Sequence, residues 1–126
     1  WGLSNTMTKE WCITVLQEAI DAYGIPEIVN SDQGSQYTSK KWIEALESQG
    51  IQISMDGKGR ATDNAWIERF WKTIKVNHIY LHPVANGLEL HRGIKKYIDY
   101  YHIKTHHTTK QKPSIRYQES ILALAA

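Results

Sequence analysis

The chain has 126 residues, 41% of them hydrophobic and 22% charged, which suits one globular domain with a modest core and argues against disorder. No apolar run approaches the roughly 18 residues of a membrane span, and the start, Trp1-Gly2-Leu3-Ser4-Asn5, has no basic region followed by an apolar stretch, so neither a bilayer nor a secretion signal is expected. The net charge of +2 is unevenly spread: residues 1–57 carry three Lys against eight acids, a balance of −5, and residues 58–126 carry twelve Lys or Arg against five acids, a balance of +7.

In chain order, Thr8 can cap a helix running to about Tyr23, with Trp11, Cys12, Val15, Leu16, Ala19 and Ile20 at helical spacing and Gly24 and Pro26 stopping it. Cys12 is the one cysteine; it cannot form an internal disulfide, lies in the apolar pattern, and reads as a core residue in a reducing compartment. Glu27 to Asn30 reads as a short buried strand. Ser39 then caps a second helix, Lys40 to Gln49, whose apolar positions Trp42, Ile43, Ala45 and Leu46 end at Gly50. Ile51 to Met55 is a second strand. Helix, strand, helix, strand in short alternation predicts an α/β fold with a parallel sheet. Gly57-Lys58-Gly59-Arg60 is a basic loop, Asp63 caps a third helix of roughly 64–80, and a fourth covers Leu88 to His102. The remainder, His106 to Ile121, is basic and is broken at Pro113. A basic second half fits a polyanionic partner and equally fits a solvated helix surface.

Two carboxylates stand out. On the third helix Asn64, Glu68, Lys72 and Lys75 fall within an arc of about 80°, beside a neighbouring apolar arc of Trp66, Ile67, Phe70, Trp71 and Ile74 that is expected to be buried. Glu68 could be half of an i,i+4 ion pair with Lys72, worth about 0.2 to 0.5 kcal/mol, or a carboxylate held at a cleft. Asp32, in Ser31-Asp32-Gln33-Gly34, could be a turn residue; it also lies at the carboxyl end of a strand, where open parallel sheets bind ligands. Two carboxylates converging from a strand end and a helix face would suit a hard divalent cation such as magnesium. His78 and His82, spaced i,i+4, are a weaker zinc pair with neither a cysteine nor a clear third ligand.

These residues occur within longer stretches, P-E-I-V-N-S-D-Q-G-S-Q-Y-T-S (26–39) and G-I-Q-I-S-M-D-G-K-G-R-A-T-D-N-A-W-I-E-R-F-W-K-T-I-K (50–75), and more loosely H-H-T-T-K-Q-K-P (106–113). Together they resemble the bacterial insertion-element transposases whose catalytic core is similar to retroviral integrase. Residues 33 to 67 put 35 positions between Asp32 and Glu68, the spacing between the second and third members of that family's Asp-Asp-Glu triad. The resemblance implies a ribonuclease-H-like fold, here N-terminally truncated, with two short parallel strands and about four helices. Residues 1–126 would be the C-terminal part of an integrase-like core with a basic tail.

The implied activity is metal-dependent phosphodiester cleavage and strand transfer in DNA transposition. Asp32 and Glu68 are carried over as catalytic metal ligands for Mg2+ or Mn2+, and Lys58, Arg60, Asn64, Lys72 and Lys75 as DNA contacts. The partners implied are transposon ends, target DNA and further copies of the chain, in the bacterial cytoplasm at the nucleoid, with no membrane or small-molecule substrate. The chain departs from the family: the upstream helix-turn-helix region and two central strands of the usual five-strand sheet are expected to be missing, and two further differences concern named residues. The first triad Asp is expected to be absent, because Trp1 to Met7 looks like the end of the third strand of the family's meander. Where the family has Asn and Arg in Y-N-x-x-R-x-H, this chain has His102 and Thr105, while His107 matches. With two carboxylates in place of three, residues 1–126 alone are expected to be inactive, and strand 27–31, left without its usual neighbour, predicts a dimer or higher oligomer. The alternative is a non-enzymatic remnant that binds DNA or self-associates.

Overall fold

The computed structural model describes residues 1–55 and 65–124. The basic loop with Lys58 and Arg60, the expected cap Asp63, and Asn64 lie outside the described residues. The structure divides into two units, Trp1–Arg69 and Phe70–Ala126.

In the first unit, α1 (Lys9–Tyr23) begins where the Trp11 backbone N–H donates to Thr8 Oγ1 at 3.3 Å, and it ends where the Gly24 N–H donates to the Ile20 carbonyl at 2.8 Å. β1 (Ile28–Ser31) is followed by α2 (Lys40–Glu47) and β2 (Gln52–Met55). Ser39 Oγ accepts from the Trp42 N–H at 3.3 Å, so the cap read from the sequence forms. Gly50, at φ 73°, turns the chain from α2 into β2 in a left-handed conformation that a side chain would oppose. β1 and β2 pair in parallel, Ile28 opposite Gln52 through Ser31 opposite Met55, as β-α-β connectivity requires.

The core of this unit follows from helical and strand periodicity. Ile20 of α1, Trp42 and Leu46 of α2 and Ile51 before β2 are buried together, and Cys12, Ile13, Leu16, Val29, Tyr37 and Ile53 pack around them. Cys12 thus stands where its apolar pattern placed it. Tyr37 meets Trp42 edge-on with ring centroids 5.1 Å apart, the arrangement aromatic quadrupoles favour.

α3 (Ala65–Asn77) ends before a short 3-10 turn at Ile79–Leu81, three residues earlier than the periodicity suggested. In the second unit, α4 (Gly87–Ile103) starts at a reciprocal cap: the Glu89 N–H donates to Asn86 Oδ1 at 3.0 Å, while Glu89 Oε2 accepts from the Ala85 N–H at 3.0 Å. α5 (Pro113–Leu124) corrects the expectation that Pro113 only breaks the basic remainder of the chain, because a helix starts there. Proline is tolerated at a first helical position because that N–H has no helical partner anyway and its φ is already helical. Ser114 Oγ donates to the His102 carbonyl at 2.9 Å and fastens α5 to the end of α4.

The apolar arc of α3 needs a second correction. Ile74 is buried and Phe70 half-buried, but Trp66 is 88% exposed, with Ile67 and Trp71 also open. An apolar stripe is buried only where another surface meets it, and the aromatic contacts run along its second half: Phe70 on Tyr101 at 5.1 Å and, just past the helix, His78 stacked on Tyr97 at 5.5 Å. Partial burial, reinforced by neighbouring His82, lowers the His78 pKa from its ordinary 6.5. Because the unfolded chain then binds the proton more readily, stability is present above about pH 6.5 and falls as pH drops through the lowered folded value. His78→Gln is expected to flatten the urea midpoint between pH 7 and 5, whereas an equal acid-side loss in the variant would assign the effect elsewhere.

Candidate metal and DNA site

Asp32 leaves the carboxyl end of β1 and is exposed. Its Oδ1 accepts the Gly34 N–H at 2.8 Å, which closes a short turn, and the Tyr37 and Thr38 N–H groups donate back to the Gly34 carbonyl at 2.9 and 3.1 Å. The two readings of Asp32 are therefore compatible: it makes the turn and still presents a carboxylate, whose two oxygens offer about four acceptor positions. Gly34 is needed for closeness. A Cβ there would stand 2.9 Å from Asp32 Oδ1 and 2.8 Å from Gln36 Nε2, so any side chain would push the carboxylate aside.

Tyr37 ties this turn to the core, a role the sequence did not assign to the aromatic that closes the acidic stretch. Its hydroxyl titrates above the usual range, chiefly from burial, with Cys12 and the Asp32 charge adding to the rise. The aromatic at the end of the acidic turn, five positions after Asp32, was the available signal.

Glu68 is exposed in the first turn of α3, where a helix N-terminus favours negative charge. Ion pairs among the described residues join Lys40 to Glu44, Lys41 to Glu10 and Lys95 to Asp99; Glu68 with Lys72 is not among them. The surface ion pair that offered the bland account of Glu68 is thus not formed. Lys72 and Lys75 follow it along the same helix and are exposed.

Asp32 and Glu68 stand on separate elements, and no hydrogen bond or ion pair joins them among the described residues. Nor does any group of three or more His, Cys, Asp or Glu there come together to hold a metal ion. That applies also to His78 and His82, whose rings lie 4.9 Å apart while His82 Nδ1 sits 2.9 Å from the His78 carbonyl oxygen. Among the described residues, no helix is long and apolar enough to cross a membrane.

Two family models, both described as Integrase core domain, match the chain, one over residues 1–61 and the other over 49–113, the second covering 65 of the 126 residues. The chain belongs to the integrase core family.

Curated relatives of this integrase core agree. The transposase for insertion sequence element IS904 of Lactococcus lactis is 43% identical over 82 residues, which are 64% of this chain and 32% of that protein. Transposase InsF for insertion sequence IS3A of Escherichia coli K12 is 34% identical over 82 residues, 64% of this chain and 28% of that protein. The chain spans about a quarter to a third of the length of such relatives. Among solved structures, a chain of the simian T-cell lymphotropic virus intasome superposes with a TM-score of 0.54 at 26% identity, covering 58% of this chain and 26% of that one. The parallel β-α-β unit and the helices around it are therefore an integrase-like α/β fold, as the resemblance implied.

Proposed function

We propose that this chain is part of a DNA transposase core that cuts and joins strands by metal-dependent phosphoryl transfer. The observation that supports it most is the placement, in an integrase core chain, of an exposed Asp32 at the carboxyl end of a parallel strand and an exposed Glu68 in the first turn of α3. Both offer carboxylate oxygens, the donors hard divalent cations take, and neither is spent in an ion pair among the described residues. Asp32 and Glu68 fit Mg2+ or Mn2+ on these grounds. A bound divalent ion would supply activation of the attacking oxygen and neutralisation of charge at the phosphate.

The chain's own residues do the positioning. The Gly34 N–H holds the Asp32 carboxylate in its turn, and Tyr37 anchors that turn on the core. Lys72 and Lys75 attract phosphates along the helix that carries Glu68, and Lys58, Arg60 and Asn64 are proposed to share that task. The substrates are transposon ends and target DNA, and the place of action is the bacterial nucleoid.

Residues 1–126 by themselves offer two of the three triad carboxylates and are expected to bind DNA with an affinity that falls steeply with salt, yet not to cleave it. Magnesium-dependent, specific cleavage of transposon-end DNA by these residues would overturn the second part. Expressed from its full reading frame, the protein is expected to release 3′ ends of its element with magnesium and to stop on chelation; no cleavage in either condition sinks the proposal.

One further observation favours self-association within this reading. The described sheet has two strands, so each keeps an unpaired edge, and Ile28 on β1 is 54% exposed. Open edges and bare apolar side chains drive pairing. A monodisperse monomer by light scattering would count against an oligomer.

A further inference from the structure

The second unit holds a cavity of about 230 Å³ between the end of α3, the end of α4 and the segment just after α4. It is smaller than the roughly 300 to 1,000 Å³ of sites for drug-sized ligands, so it suits a single flat ring system. Three tyrosines, Tyr97, Tyr100 and Tyr101, form much of its wall, and no lining residue is acidic. Two of these rings are held by neighbours. Tyr97 stacks on His78 at 5.5 Å and 27°, and Tyr101 meets Phe70 edge-on at 5.1 Å and His106 at 6.2 Å. Tyr100 meets Tyr97 at 6.3 Å but is 49% exposed, and Lys104 Nζ lies over its ring, 5.4 Å from the centroid.

Polar groups complete the lining. Asn77, whose Nδ2 donates to the Tyr97 hydroxyl at 3.5 Å, and Thr105 can each both donate and accept hydrogen bonds. His106, also in the wall, has a buried Nδ1 without a hydrogen-bond partner among the described residues. A buried polar atom left unpaired in a folded protein calls for a partner.

Aromatic faces, amphoteric edges, a nearby cation and no carboxylate are together the requirements of a nucleobase attached to a phosphate. We propose that this cavity receives one unpaired nucleobase of a DNA strand, which stacks on Tyr100 while Lys104 contacts the adjoining phosphate. A paired base cannot enter, because its faces are covered within the duplex; a base at a frayed or cut end can. Thr105 stands at one of the two positions where this chain departs from its family's pattern, and it lines this cavity together with His107. The proposal rests on the reading that the chain acts on DNA.

The test is fluorescence anisotropy of the 126-residue chain with three labelled duplexes: one blunt, one with a three-nucleotide 3′ extension, and one with the same extension made abasic. The chain is expected to prefer the intact extension over the abasic one. Stacking of a base is worth enough that Tyr100→Ala should reduce that preference about five-fold or more, leave binding to the blunt duplex unchanged and keep the wild-type melting curve. Tyr100→Phe should retain the preference. Lys104→Gln should weaken both extended duplexes alike. A preference that survives Tyr100→Ala, or equal binding of intact and abasic extensions by the unaltered chain, would overturn the cavity's assignment and leave DNA binding standing. No binding to any duplex would instead overturn the DNA reading, and this inference with it.

Discussion

Replacing Glu68 with glutamine in the transposase proposed to carry this core is expected to lower strand cleavage by on the order of 10³-fold or more, the low end of what one stabilising charge supplies in phosphoryl transfer. Glutamine keeps the size and the helix propensity but removes the negative charge that attracts a divalent ion. Glu68 is exposed on α3 and makes no ion pair among the described residues, so the fold should be indifferent to the change. Binding of DNA should be unchanged or tighter, since a negative charge has left a helix that also carries Lys72 and Lys75. Asp32→Asn should behave alike while keeping the turn, because an amide oxygen can still accept the Gly34 N–H. Parallel measurement of cleavage and filter binding decides it. Loss of both together would mean that Glu68 is structural, and unchanged cleavage would remove it from the site.

Leu46→Ala is expected to cost about 2 to 5 kcal/mol. Leu46 is wholly buried in α2, among Ile20, Trp42 and Ile51, at the centre of the first unit's core. Removing its branched end leaves a cavity walled by α1, α2 and the start of β2. Domains of this size are held by about 5 to 15 kcal/mol, so the loss is a large share of the total. Urea unfolding should show a lower midpoint, and a loss below about 1 kcal/mol would mean that the site collapses around the smaller side chain.

The two changes probe different kinds of information, and those kinds were unequally legible in the sequence. Local signals were clear. The Thr8 and Ser39 caps, the glycine that ends α1, and the alternation of helix with short strand are decided within a few residues, and each formed as read, whereas α2 stops at Glu47 with Ser48 as its cap, before the expected Gly50. The acidic turn at Asp32 and the spacing to Glu68 were likewise visible, because a motif is a statement about residue order. Pro113 was misread for the opposite reason: a proline stops or starts a helix according to which side the helix lies on, and that is settled by the residues around it and the surface they pack on.

What the sequence alone determined about this protein is its family and its parallel β-α-β unit, set by order, periodicity and local capping, and it singled out Asp32 and Glu68 as candidate ligands. Only the tertiary structure decided that Asp32 closes a turn on Gly34 while its side chain stays exposed, and that Tyr37 binds this turn to the core. The same holds for Trp66 lying open although its helical phase marked it as apolar interior, and for Thr73 and Asn77 of α3 meeting the tyrosines and histidines of residues 97–107 around one cavity. The physical reason is that burial and convergence are properties of pairs of surfaces. A periodic stripe names the face a helix would bury, but the surface that meets it, or fails to, is supplied by residues far along the chain.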